Sequence, residues 1–193
     1  MKTLVIASSN PGKIHEFENL LRALPLYVRP QPERLEVEET GSTFAANAQL
    51  KAKTVACVTG EWALADDSGL SVDALDGAPG VHSARYANSD PERIQRLLNA
   101  LQNCSEREAH FCAALCIAAP GGRVLLEVEG RCQGRITTAP RGDQGFGYDP
   151  IFEVKDTGLT FAEMALAEKK QHGHRGRAFT ALEPKLRKLL ATS

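Results

Sequence analysis

The stretch VIASSNPGKIHEF, residues 5 to 17, runs an apolar strand into a donor-rich loop. It ends on Gly12-Lys13, where an amphipathic helix begins. Ser8, Ser9 and Asn10 offer hydroxyl and amide groups, and Gly12 lets backbone N–H groups face an anion. Lys13 adds a point charge at a helix N-terminus, an arrangement suited to phosphate. A Walker A loop reads G-x-x-x-x-G-K-[ST]. Here Ala7 stands in place of the first glycine and Ile14 in place of the hydroxyl residue. A polar strand-to-helix turn with a surface lysine accounts for the same residues.

Ile14 cannot ligate a metal, so a polyphosphate held by this loop needs its magnesium from carboxylates elsewhere, because Mg²⁺ takes hard oxygen ligands. Two acidic pairs are available, Glu38-Glu39 and Asp66-Asp67. The second follows a short apolar strand, Trp62 to Ala65, and acids at a strand end lie where α/β proteins bind ligands. Adjacent strand residues point opposite ways, so one of the two at most meets the metal directly. A solvated turn explains either pair. Asn47 and Lys51 share a helix face, and their amide and ammonium could reach a bound phosphate or water alone.

Three further stretches combine ring, charge and turn. DGAPGVHSARYA (76 to 87) is an irregular loop carrying His82, Arg85 and Tyr86. GFGYDP (145 to 150) flanks Phe146 with glycines, which lets an aromatic face meet a base, or marks a buried strand entry. EKKQHGHRGRA gathers Lys169, Lys170, His172, His174, Arg175 and Arg177, by default a cationic helix end facing water. Its H-x-H pair has no third ligand at zinc spacing.

These groups need elements to position them. KIHEFENLLRAL places Ile14, Phe17, Leu20, Leu21 and Leu24 on one helical face, ending before Pro25. TGSTFAANAQLKAKTVACV reads as a helix capped by Ser42 or Thr43. In SDPERIQRLLNALQN, Asp90 takes the cap and Pro91 the first helical position. HFCAALCIAA and RVLLEVEG form a hairpin across Pro120-Gly121-Gly122. Thr160 and Glu163 make a capping box. A last helix from about Arg177 buries Phe179, Leu182, Leu186 and Leu189, with Pro184 bending or interrupting it. Helices alternating with strands around an antiparallel hairpin give an α/β fold with a mixed sheet.

With 193 residues, 42% hydrophobic, the chain can bury one substantial core. A net charge of −1 gives no field toward nucleic acid or an anionic membrane. Five cysteines without a C-x-x-C pair fit a reduced, cytoplasmic protein better than a disulfide framework. No apolar run is long enough to span a bilayer.

In chain order, SSNPGK, EETGSTFAANAQLKA, ADDSGLSVDALDGAPGVHSARYA, GFGYDPIF and EKKQHGHRGRA resemble the inosine triphosphate pyrophosphatase family. Its members hydrolyse non-standard purine nucleoside triphosphates. The blocks spread from residue 8 to 178, nearly the whole chain. The resemblance implies one domain over residues 1–193: an elongated α/β structure with a long mixed β-sheet and helices, two lobes flanking an active-site cleft, usually a homodimer. It implies that Ser8, Ser9, Asn10, Pro11, Gly12 and Lys13 bind the triphosphate, assisted by Lys51. Glu39 and Asp67 would hold Mg²⁺, with Asp67 also the proton acceptor. Ser68 would contact substrate, and Phe146, Gly147, Tyr148 and Asp149 would line the nucleoside pocket. Lys169, His174 and Arg175 would close over base and phosphates.

ITP, dITP and XTP are the implied substrates, split to the monophosphate and pyrophosphate. Their 6-keto oxygen would meet donors from His174, Arg175 or backbone N–H groups, which adenine's amino group would leave unpaired. Two departures stand out. Gly173 occupies a position where serine commonly precedes the His-Arg pair, and residues 102 to 135 carry no transferable site residue. A Maf-type pyrophosphatase would show S-x-R-R after the first strand, where this chain has Asn10-Pro11-Gly12-Lys13. A sensor that binds without turnover would gain nothing from Asp66-Asp67.

Overall fold

A computed structural model describes residues 1–192. Eleven elements carry the site: β1 (Lys2–Ile6), α1 (Pro11–Leu21), β2 (Leu26–Pro30), α2 (Phe44–Thr59), β3 (Trp62–Val72), α3 (Asp90–Ala100), β4 (Glu108–Ala118), β5 (Val124–Ile136), β6 (Phe152–Val154), α4 (Leu166–His172) and α5 (His174–Ala191). The strands form one sheet in the order β2-β1-β3-β4-β5-β6. β1 runs parallel to β2 and β3, while β5 and β6 are antiparallel, so the sheet is mixed as expected.

The chain divides into two compact units. The first comprises Met1–Asp67, Ala113–Gly130 and Ala178–Ser193; the second comprises Ser68–Cys112 and Arg131–Arg177. The backbone passes from one to the other between Asp67 and Ser68, within β3.

In the first unit, strand alternation sorts the core onto two faces. Leu4, Ile6, Trp62 and Leu64 pack with Phe17, Leu20 and Leu21 of α1 and with Phe179, Leu182 and Leu186 of α5. Val5, Ala7, Ala63 and Ala65 face the other way, onto Ala48, Ala52, Val55 and Ala56 of α2. That second face is made almost wholly of small side chains, so α2 lies close to the sheet. α5 runs through Pro184 without interruption.

The second unit has its own core of Leu70, Leu97, Phe111, Phe152, Phe161 and Met164 among others. Burying each large side chain contributes roughly 1.5–3 kcal/mol. Phe111 and Phe152 meet edge to face, with centroids 4.8 Å apart. Buried Arg107 donates to the carbonyls of Leu101, Ile136 and Thr137 at 2.7–2.8 Å, tying the end of α3 to the end of β5.

Local chemistry sets the helix starts. Asn10 accepts from the Lys13 N–H at 3.1 Å, and Pro11 occupies the first helical position, so α1 begins ahead of Gly12-Lys13 rather than at them. Thr43 caps α2, accepting from Ala46 N–H at 3.1 Å. The cap of α3 is Ser89, whose hydroxyl accepts from Glu92 N–H, and not Asp90, which lies inside the first turn. The larger correction concerns β3. It does not stop at Ala65 but continues through Asp66-Asp67 to Val72, because lysines from the flanking helices meet the two carboxylates.

Candidate active site

Asp66 continues the β3 face of Trp62 and Leu64, toward α1; Asp67 continues the face of Ala63 and Ala65, toward α2. Each meets a lysine on its own side. Lys13 Nζ lies 2.7 Å from Asp66 Oδ2. Lys51 Nζ lies 3.6 Å from Asp67 Oδ1, donates to the Asp66 carbonyl at 2.9 Å, and grips Glu39 Oε1 at 2.5 Å. Both aspartates are buried, at 3% and 5% exposure, deeper than a solvated turn allows. Burial pushes the Asp67 carboxyl above its ordinary value, and Glu39 adds to this. Lys51, Lys13 and the Asn47 amide oppose it.

The face of α2 bearing Asn47 and Lys51 is turned inward rather than to water. Asn47 is fully buried, and its Oδ1 accepts from Gly41 N–H at 2.7 Å. A side chain on Gly41 would meet that oxygen at 2.7 Å, so glycine is what lets the Glu39 segment lie against α2. At the head of α1, Ser8 Oγ accepts from Asn10 N–H at 3.1 Å, shaping the turn; Ser9, Asn10 and Pro11 are exposed, and Gly12 and Lys13 half-buried.

The residue set suits a magnesium ion that arrives with a polyphosphate. One lysine ammonium already stands within reach of both Glu39 and Asp67, so the place favours a cation. Among the described residues no three acidic, histidine or cysteine side chains gather as a metal cage. Mg²⁺ needs only one or two carboxylates when phosphates and water complete its shell.

The second unit holds the remaining candidates. Lys169 Nζ donates to Asp149 Oδ2 at 2.7 Å, and the same oxygen accepts from Phe146 N–H at 3.0 Å. The Phe146 ring lies beneath two cations, Lys169 Nζ at 4.9 Å and the Arg175 guanidinium at 5.3 Å from its centroid. Arg175 Nη2 donates to Ser68 Oγ at 2.6 Å. His174 stacks on Phe111, centroids 4.7 Å apart. Tyr148 is turned inward at 4% exposure and donates its O–H to the Ser83 carbonyl at 2.7 Å. Burial pushes its pKa up, so it stays a donor.

The cationic cluster therefore splits. Lys170 and Arg177 face water, whereas Lys169, His174 and Arg175 are 8%, 2% and 6% exposed. The turn between α4 and α5 makes this burial. Gly173 N–H donates to Lys169 O at 2.8 Å, and a Cβ there would meet that oxygen at 2.5 Å. Asp66 enters the sequence reading only as one of an acidic pair, and Ser83 and Asp90 do not enter it as site residues. Asp66 shares its motif with Asp67; Ser83 and Asp90 carry no local signal, since what marks them is a tertiary contact.

Comparison with known proteins places the chain in a family. The Ham1 family model matches residues 4–185. A protein of Parasynechococcus marenigrum named dITP/XTP pyrophosphatase is 71% identical over 191 residues, covering 99% of this chain and 98% of that one. One from Nostoc with the same name is 53% identical, covering 100% and 98%. Among solved structures, a HAM1 protein from Coxiella burnetii superposes with a TM-score of 0.86 at 42% identity, over the whole of both chains. The Staphylococcus aureus Ham1 protein superposes with a TM-score of 0.85 at 39% identity, covering 97% and 99%.

Proposed function

The chain belongs to the Ham1 family, and on that premise we propose that it hydrolyses non-standard purine nucleoside triphosphates, such as ITP, dITP and XTP, to the monophosphate and pyrophosphate. The observation that carries the reading is the Glu39–Lys51–Asp67 cluster beside a lysine-bearing helix start, in a chain whose relatives are named for this reaction.

The triphosphate is taken by residues 8–13 and Lys51, where the N-terminus of α1 and two ammonium groups favour negative charge. Glu39 and Asp67 would hold Mg²⁺, which would relieve charge on the leaving pyrophosphate. Asp67 orients a water for attack at the α-phosphorus and accepts its proton. Asp66 aims the Lys13 ammonium, whose remaining N–H donors are left for phosphate.

The base stacks on Phe146, with Lys169, Arg175 and Ser68 at the sugar-and-base end. Two backbone donors of this loop are already engaged: Phe146 N–H by Asp149 and Gly147 N–H by Asp90. Recognition of a 6-keto oxygen is given to the side chains of His174 and Arg175, and adenine would leave those donors facing an amino group. The reading extends to a cytoplasmic homodimer, whose dimeric state light scattering on purified protein checks. The deciding assay is pyrophosphate release from ITP, XTP, GTP and ATP with Mg²⁺ and with EDTA. Release from ITP and XTP only with the metal is expected; equal kcat/KM for ITP and ATP would end the keto argument.

A further inference from the structure

Every residue from Phe146 to Asp149 is tied down by name. Phe146 N–H donates to Asp149, and Asp149 accepts from Lys169. The other two ties leave the candidate site and reach the segment 83–90, to which no role has attached. Tyr148 donates its O–H to Ser83 O, and Gly147 donates its N–H to Asp90 Oδ2 at 2.8 Å.

The second tie is set up by three local facts. Ser89 takes the helix cap, so the Asp90 carboxylate is not consumed by its own helix. Its other oxygen, Oδ1, pairs with Arg93 Nη1 at 2.5 Å, one turn along, which fixes the carboxylate's orientation. Gly147 sits at φ +62°, a left-handed conformation that a glycine holds without strain. A charge-assisted hydrogen bond across 57 residues therefore grips the peptide next to Phe146.

We propose that Asp90 is a positioning residue for the nucleoside end of the substrate: through Gly147 N–H it holds the Phe146 ring under Lys169 and Arg175 before any ligand binds. The proposal rests on the reading of the site given above. A platform already ordered loses little freedom when a purine settles on it, whereas a loose one must be ordered by the ligand itself. Asp90 then acts on binding of the nucleoside and not on binding of the pyrophosphate end.

Binding by calorimetry to IMP and, separately, to pyrophosphate with Mg²⁺ tests this, alongside amide hydrogen exchange at Gly147. In Asp90→Ala and Asp90→Ser, the Kd for IMP is expected to rise about tenfold, as loss of a hydrogen bond to a charged group implies. Pyrophosphate binding should be unchanged, and Gly147 should exchange faster by a similar factor. Asp90→Asn keeps an acceptor and should restore IMP affinity to within about threefold of wild type. Serine and alanine are mild changes in a first helical turn, so folding survives in at least one of the two. Wild-type IMP affinity in both variants, unchanged protection at Gly147, or equal loss of IMP and pyrophosphate would each overturn the proposal. A wild-type protein that binds no IMP would instead bring down the nucleoside reading itself, a result distinct from all three.

Discussion

Asp66 and Asp67 are neighbours in the chain and face opposite helices, the first against Lys13 of α1 and the second toward Lys51 of α2. One peptide step on a strand thus separates the partner of Lys13 from the carboxylate proposed above as the base. The two positions should fail differently when changed.

Asp67→Asn is expected to lower kcat by 10²-fold or more, the range seen for losing a general base. It should also stabilise the fold near neutral pH. A carboxyl whose folded pKa exceeds its unfolded value stabilises the fold below the unfolded value and loses that contribution as pH rises through the folded one. Burial raises Asp67 from 3.8, so the advantage of the asparagine variant should be absent below that pH and widen above it. Urea denaturation of both proteins across the acid range reads the sign directly.

Asp66→Asn removes the anion 2.7 Å from Lys13 and leaves the proton acceptor in place. The expected result is a change mainly in KM for the triphosphate, with kcat within about tenfold of wild type. Steady-state kinetics on ITP separate the two aspartates; a kcat loss as deep as that of Asp67→Asn would show that they work as one unit.

Lys51→Met takes away the cation standing between Glu39 and Asp67. Breaking a partly buried, hydrogen-bonded ion pair from one side costs about 1–3 kcal/mol. Thermal melts should show the loss, with Mg²⁺ recovering more stability in the variant than in wild type and EDTA abolishing the difference.

Lys169 and Asp149 give a coupled pair to test in the second unit. Asp149→Asn and Lys169→Met should each destabilise by about 3 kcal/mol, and the double variant by less than their sum. A strictly additive cycle would mean that the 2.7 Å contact contributes nothing of its own.

The cysteines supply a prediction free of the mechanism. Burial pushes the Cys116 thiol up to about 12 and the Cys132 thiol to about 11, while Cys57 is exposed. A thiol reagent near neutral pH should label Cys57 at once and reach Cys112, Cys116 and Cys132 only after denaturant is added.

How much of this was legible beforehand follows from what a local pattern can carry. Periodicity gave α1, the hairpin and the mixed sheet, because the spacing of apolar residues is itself the cause of those elements. β3 runs past the stop expected at Ala65 because two adjacent acids read as a polar turn until lysines distant in sequence, Lys51 and Lys13, are seen to meet them. Asn47 was open between solvent and site for the same reason: its burial depends on Gly41 fitting beneath it. In α3 the cap falls on Ser89, one residue before the Asp90 expected there, and only a partner 57 positions distant reveals what Asp90 does instead. Residues 102–135 carry no transferable site residue, yet Arg107 there holds three carbonyls, a role no motif announces.

The alanine-lined face beneath α2 works as a spacer. Its thickness, set by methyl groups at Ala48, Ala52, Ala63 and Ala65, decides whether a four-carbon stem can deliver its ammonium to the Asp66 carbonyl. Valine or leucine in that layer would lift the helix and withdraw the charge. A genetic screen for inactive alleles should therefore return hits at positions that never touch a nucleotide.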